Sequence, residues 1–545
     1  KMYINIIKYK DYISLGLAFM VILIALMVIY SDTLDGSKSF YGANDKVSAI
    51  NVKAAISASE EYPYWFPWMM GGVPSVHSAQ NISDYYPPNY IMKALHSIGV
   101  PWFWNYIFHF LFAGIGMYLL CSRLKLNKFA STLPALGFAI TPYMTGMLVH
   151  GHGSQVMTLC YIPWVFYAYI KLKDSPSIKK LALLSLFLAL QLLRGHVQMA
   201  YYTWLMLGIL ILIDIIYDFF IKKEKKVEWL IYTVLGILLG FVSSLSLYVP
   251  MLSYTPLSTR SSGGAKGMGL EAATSFSFSP GEVLTFLIPS YYGFGELTYV
   301  GTMPFTSFPH YMSIIMFLFA IYGLIRYKWT GFKVFSISCT LFFLALSFGK
   351  NFIGFYEFFY NYLPFFSKFR NPAFLLIVVQ FCVMILAGMG LSMVFKDIKN
   401  RMPILVVYSV LSVALLSFAP MFFDLNGPVL KGYDNDRQII EDSLRESKLL
   451  ELKDIDQRIE ENNIVDKNLI NEYKESVNKR YDYWLDNRID FYDKKFNLSK
   501  SLIESDKSSM QLFVFSIFFV VVGFYYAYPI LSGYKYFNYI LTGLI

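Results

Sequence analysis

Apolar runs of roughly 17 to 25 residues recur from Ile13 almost to the end of the sequence, each long enough to cross about 30 Å of hydrocarbon as a helix. Backbone groups in such runs have no water to bond, so each run must close its own hydrogen bonds. The expected fold is therefore all-α, a polytopic helical bundle in a membrane. With 56% hydrophobic and 15% charged residues in 545, the composition agrees. Spans are expected at 13–30, 102–121, 129–149, 156–172, 180–194, 198–221, 228–251, 311–326, 331–348, 373–395, 402–423 and 510–532. A further run begins near Tyr536, which makes about 12 to 13 spans in all. That run is about half a bilayer long, so the chain is expected to be truncated at its C-terminus. The first run follows Lys1, Lys8 and Lys10 but is too long for a signal-peptide core, and it is read as a retained span.

Lysines and arginines near the span ends set the expected orientation. Those within 123–128, 171–180, 222–226, 326–333 and 396–401 fall on the side of the N-terminus, which should be cytoplasmic. The opposite side receives the long segments 31–101, 252–309, 351–371 and 424–509. Three parts follow: a transmembrane domain over 1–423, an extracytoplasmic helical segment over 424–509, and C-terminal spans over 510–545. The second is dense in charge, leucine and isoleucine, as a solvated helical hairpin would be. Residues 46–58 place Val47, Ile50, Ala54 and Ala55, with Ile56, along one side at helical spacing, which fits an amphipathic helix lying on the outer face. The net charge of +9 sits in short clusters between spans, a topology signal rather than a nucleic-acid stripe. Cys121, Cys160, Cys339 and Cys382 form no CxxC pair, so neither a disulfide framework nor a zinc site is expected.

In this topology His77, His96, His150, His152, His196 and His310 map to outer loops or outer span ends, and only His109 falls well inside a span. Histidine gathered on one face can donate hydrogen bonds, take a proton or bind a metal, although interfacial loops also tolerate it generally. Three short outer segments carry polar residues: "VHGHGSQ", "LLRGHVQ" and "KFRNPAF". Arg194 and Arg370 stand there at outer span ends, where basic residues are otherwise sparse. A phosphate held by paired hydrogen bonds would explain them, and so would a salt bridge to an outer carboxylate. The pair His150 and His152 could ligate a metal, but no third ligand stands at a telling spacing. Among outer carboxylates, Asp45 starts the interfacial helix, and N-capping, worth about 1 kcal/mol, suffices to explain it.

Several stretches taken together resemble the YfhO family of bacterial membrane proteins, itself similar to the GT-C class of glycosyltransferases that use polyprenyl-phosphate sugars. They are "YWFPWMMGGVPS" with "YYPPNYI", "GHGSQVMTLCYIPW", "LLRGHVQMAYY", "SFSPGEVLTFLIPSYYG", "PFTSFPHY" and "FSKFRNPAFLLIVVQF", in order from the first outer loop to about residue 385. The stretch "DRQIIEDSLRESKLLELKDI" resembles the polar segment that follows in the family, whose members usually continue into more spans and an outer domain.

The resemblance implies a GT-C-like fold in a bacterial cytoplasmic membrane, with the active face outside. It also implies a catalytic Asp in the first outer loop, where "GANDKVSAIN" places Asp45. Such an Asp acts as general base on the acceptor hydroxyl, whose oxygen displaces the lipid phosphate with inversion. Arg194, with His196, His150 and His152, would neutralise the leaving phosphate, with Arg260 and Arg370 in reserve. Gln155, Gln198, Tyr85, Tyr86 and Asn89, from the same stretches, complete the candidate binding set. The partners implied are membrane lipid, a polyprenyl-phosphate sugar and a glycan or lipid-linked acceptor, with no metal or other cofactor required. Asp45, His150 or His152, and Arg194 are then expected to line one outer cavity open sideways to lipid.

A transporter or flippase of a lipid-linked glycan and a non-catalytic envelope assembly protein are the competing readings. A transporter would show paired broken helices, and the sequence shows none.

Overall fold

The computed structural model describes residues 2–38, 40, 54, 56, 64–67, 71–77, 83–223, 227–258, 261, 268–293, 298–303, 310–400, 403–404, 406–412, 428, 433–461 and 466–531. Among these the fold is helical, with one short antiparallel pair of strands, β1 (Trp65–Phe66) against β2 (Val73–Pro74). The helices used below are α1 (Met2–Ile29), α2 (Pro88–Ser97), α3 (Trp104–Arg123), α4 (Lys128–Ala139), α5 (Pro142–Val149) and α6 (Gly153–Leu159). They continue with α7 (Ile162–Asp174), α8 (Ile178–Leu193), α9 (Val197–Ile215), α10 (Glu228–Val242), α11 (Leu245–Tyr254) and α12 (Ile314–Arg326). The last are α13 (Gly331–Ser347), α14 (Ile353–Tyr362), α15 (Leu376–Asn400), α16 (Tyr433–Glu461) and α17 (Lys467–Leu531).

Local chemistry sets the boundaries. Asn127 caps α4 by accepting from the backbone N–H groups of Phe129 and Ala130 at 2.9 and 3.1 Å. Proline stands in the first turn of α2, α5 and α7, where its missing N–H costs no helical bond. Thr330 caps α13 through the Lys333 N–H.

The centre of the bundle is α15. Leu375 to Ile385 are buried on every side, so this helix meets protein all round, as its uniformly apolar sequence requires. Small residues let α12 lie against it: a Cβ on Gly390 would stand 1.8 Å from the Phe319 carbonyl oxygen, and one on Gly323 2.4 Å from that of Leu386.

Five helical stretches are long and apolar enough to cross a membrane: Tyr12–Ile29, Trp104–Arg123, Lys128–Val149, Val197–Ile221 and Pro372–Ile398. Seven do so if each of two bent pairs is one crossing, which is fewer among the described residues than the twelve or thirteen expected. One break and two short helices account for part of the difference. The run 156–172 is divided at Cys160 and Tyr161, just before Pro163, and the runs 180–194 and 311–326 form helices of only 16 and 13 residues. The run 402–423 lies mostly outside the described residues, and the run from 536 wholly so. The first of the two bent pairs breaks the expected span 228–251, while in the second the expected span 331–348 is one helix and the bend follows it. Glu228–Val242 turns by 65° into Leu245–Leu257, and Gly331–Ser347 turns by 108° into Gly349–Tyr362.

The basic loops come together at one end. Arg123 pairs with Asp174 at 2.5 Å, and Lys173 bridges Asp214 and Asp218 at 2.6 and 3.1 Å beneath the Trp229 ring. Arg326 grips Asp397 with two nitrogens at 2.9 and 3.0 Å. A cavity of about 840 Å³ opens at this end between Lys173, Asp214, Asp218 and Trp229, and the first three of these are paired with one another.

Beyond the bundle, α16 and α17 pair antiparallel. Ion pairs join Glu451 to Arg480, Lys448 to Asp482 and Asp456 to Lys474, flanking a small core of Ile455, Val477 and Tyr481. The lower part of α17 is tied to the bundle by Asp506, which accepts from the Ser290 N–H at 2.8 Å and from its hydroxyl.

Candidate functional site

The end of the bundle away from the basic loops is built on two matching turns. His150–Gly151–His152 joins α5 to α6, and Arg194–Gly195–His196 joins α8 to α9. Both glycines have φ of +87°, a left-handed conformation that a side chain would strain. In the first turn Gly151 N–H bonds to Leu148 O at 3.1 Å and His152 N–H to Met147 O at 2.9 Å, the pair of bonds that closes a helix in a Schellman motif. In the second, Gly195 N–H bonds to Leu192 O at 2.8 Å. Each histidine then occupies the N-cap of the next helix.

The two turns touch. Ser154 Oγ donates to the Arg194 carbonyl at 3.3 Å, and Phe374 presents its ring between them, 6.2 Å from His152 and 6.4 Å from His196 by ring centroids. Close approach of α3 depends on Gly153, where a Cβ would stand 2.4 Å from Tyr106 Oη.

Arg194 dominates the electrostatics of this end. It is 8% exposed, and among the described residues its Nε has no hydrogen-bond partner. Its guanidinium lies over the Tyr86 ring at 5.4 Å, and the titratable groups it interacts with include the phenols of Tyr86, Tyr106 and Tyr161, the Cys160 thiol and His109. Among the described residues no carboxylate pairs with it, so the salt-bridge alternative finds no partner there. A buried cation without a paired carboxylate is expensive until an anion joins it.

Tyr86 is itself clamped. Its hydroxyl lies 2.9 Å from His109 Nε2 and 2.5 Å from Tyr161 Oη, while His109 Nδ1 lies 2.6 Å from the Asn105 carbonyl. A carbonyl can only accept, so a neutral His109 carries its proton on Nδ1 and accepts at Nε2. Tyr86 must then donate to His109, and Tyr161 to Tyr86.

The remaining sequence candidates divide between this end and elsewhere. His150 places Nδ1 2.7 Å from Gly146 O, which commits the one N–H of a neutral imidazole to the backbone. Gln155 is buried and donates to Tyr143 Oη at 2.9 Å. Gln198 donates to Tyr202 Oη at 2.8 Å and to the Arg370 carbonyl at 2.6 Å, holding the Arg370–Phe374 segment against α9. The Arg370 side chain is exposed, with its guanidinium 6.0 Å from the Phe276 ring. Asn371, next to it, takes φ of +65°, which asparagine tolerates better than most residues.

Tyr85 packs into a separate cluster with Val76, Leu192 and Tyr248, and Asn89 donates to Ser83 O at 2.8 Å within its own turn. Asp45 and Arg260 lie outside the described residues, as does almost all of the expected interfacial helix 46–58. No group of three or more metal-ligating side chains occurs among the described residues.

Tyr106, His109 and Tyr161 were not among the candidates. Tyr161 carried a signal, since it follows the His150 turn inside one of the stretches that resemble the family, and His109 stands out as the one histidine well inside a span, but Tyr106 sits within an apolar run that hides it. Comparison with protein-family models and with curated proteins found no match for this chain.

Proposed function

We propose that this protein is a membrane glycosyltransferase, moving a sugar from a polyprenyl-phosphate donor to an envelope or lipid-linked acceptor. The observation that carries the reading is Arg194, a buried guanidinium without a carboxylate partner among the described residues, standing in one of two touching histidine turns at the end of the bundle remote from the basic loops. An anion is what such a group lacks, and a lipid phosphate supplies one in a low-dielectric setting where each hydrogen bond to it counts more. In this reading Arg194 and the two turns hold the leaving phosphate, and Asp45 takes the acceptor proton.

The test is turnover of polyprenyl-phosphate sugars by purified protein. Asp45→Asn should lower kcat by about 10²- to 10⁴-fold, the usual contribution of a general base. Arg194→Gln should lower kcat/KM. Wild-type activity in Asp45→Asn would remove that residue as base, and absence of turnover by wild type on every such donor would remove the reaction.

The two bent spans favour a second reading, movement of a lipid-linked glycan across the membrane, because broken helices are common in transporters. Both bends lie near the proposed site end: Tyr248, just past the first, donates to Leu192 O at 2.8 Å, and Lys350, just past the second, bonds through its N–H to Ser277 Oγ at 2.8 Å. Donor translocation in proteoliposomes without sugar transfer would select this second reading.

A further inference from the structure

Arg194 rests on the face of Tyr86, and Tyr86 is held by a run of hydrogen bonds whose direction is determined. The run starts at Tyr161, passes through Tyr86 and His109, and ends on the Asn105 carbonyl. It crosses three elements: the segment before α2 supplies Tyr86, α3 supplies His109 and Asn105, and the break between α6 and α7 supplies Tyr161. Tyr86 and Tyr161 are nearly inaccessible, and His109 is 7% exposed. Burying three polar side chains in an apolar bundle is unfavourable unless their groups are paired. A packing role alone would be served by phenylalanine and leucine.

We infer that Tyr86 is a positioning residue for an anion site at Arg194, and that Tyr161 and His109 act through it by fixing the plane on which the guanidinium lies. The inference rests on the reading of Arg194 as an anion site. A guanidinium offers its N–H groups in a flat fork, so its recognition of a phosphate depends on the plane being set before the ligand arrives. The ring face sets that plane, and the two bonds at the Tyr86 hydroxyl stop the ring from tilting. Because Tyr86 both donates and accepts, losing either neighbour frees the same ring. The members are therefore expected to behave as one unit.

The test measures binding of dodecyl phosphate, with inorganic phosphate as a second arm, to the purified full chain in detergent. Thermal unfolding of every variant is followed in parallel. Arg194→Gln should weaken dodecyl phosphate by about a hundredfold, the weight of a charged, two-pronged contact. Tyr86→Phe keeps the ring and removes the clamp, and His109→Leu removes the acceptor. Each should cost about tenfold in affinity, and the double variant should be no weaker than Tyr86→Phe alone. His109→Gln retains an acceptor and should bind within about twofold of wild type. It also keeps the question answerable if His109→Leu fails to fold. Tighter binding of dodecyl phosphate than of inorganic phosphate would identify a lipid headgroup as the ligand, and equal binding would identify free phosphate.

Wild-type affinity in Tyr86→Phe together with loss in Arg194→Gln would overturn the positioning role and leave the anion site standing. Additive losses in the double variant, or losses that only track melting temperature, would likewise overturn it. Full binding by Arg194→Gln, or no binding by wild type, would overturn the anion site and this inference with it.

Discussion

Three glycines determine how closely the two polar turns approach each other and α3. Gly151 and Gly195 supply the left-handed backbone at the turn apices, and Gly153 gives up its side chain so that Tyr106 can lie against α6. An alanine at 153 puts its Cβ 2.4 Å from Tyr106 Oη, too close for any contact, so either the phenol swings away or α6 shifts. Gly153→Ala should therefore destabilise the chain by about 1 to 3 kcal/mol, the range for overpacking. The loss should be smaller in a Tyr106→Phe background, where the nearest atom is gone. Thermal unfolding of the four proteins in one detergent measures both steps, and equal losses in the two backgrounds would show that the hydroxyl is not what the new methyl meets. The sequence makes Arg194, His150, His152 and His196 conspicuous because polar residues in short gaps between apolar runs stand out. It shows His109 as the one histidine well inside a span but not what that histidine meets: its bond to Tyr86 joins residues 23 positions apart, which periodicity does not register.

At the scale of elements, the same small side chain has opposite consequences depending on what faces it. Gly390 on α15 meets the Phe319 carbonyl, where a Cβ would be only 1.8 Å away, and a backbone carbonyl cannot rotate aside. Gly208 on α9 has no neighbour within 4 Å of where its Cβ would be. Gly390→Ala should thus force α12 and α15 apart and lower stability by about 1 to 3 kcal/mol. Gly208→Ala should raise stability, by up to about 1 kcal/mol, through helix propensity alone. Melting curves of the two variants check the pair, and a loss at both positions would mean that flexibility at Gly208, not packing, is what the fold uses. Periodicity and hydropathy identify most of the longer helices here, including the charged pair α16 and α17, but not α2 or α14, which lie in stretches read as outer segments. What they miss is where a run bends or breaks. Pro163, the break at Ser243 and Ser244 and the turn at Phe348 act on backbone geometry, which hydropathy does not register.

For the whole molecule, charge separates the two ends. Arg123, Lys173 and Arg326 gather with their carboxylates at one, and at the other stands Arg194, which among the described residues no carboxylate answers. The proposed reaction requires the Arg194 end to face outward, because the basic loops should remain in the cytoplasm. The proposal becomes a statement about accessibility. Ser97, at the end of α2, and Ser175, between α7 and α8, are exposed at opposite ends of this arrangement, while all four native cysteines are buried. Single cysteines can therefore be introduced against a low background. A membrane-impermeant maleimide should label Ser97→Cys in intact cells and label Ser175→Cys only after permeabilisation. The reverse pattern would turn the Arg194 end inward, away from any acceptor in the envelope, and would leave a cytoplasmic anion as the ligand that Arg194 awaits.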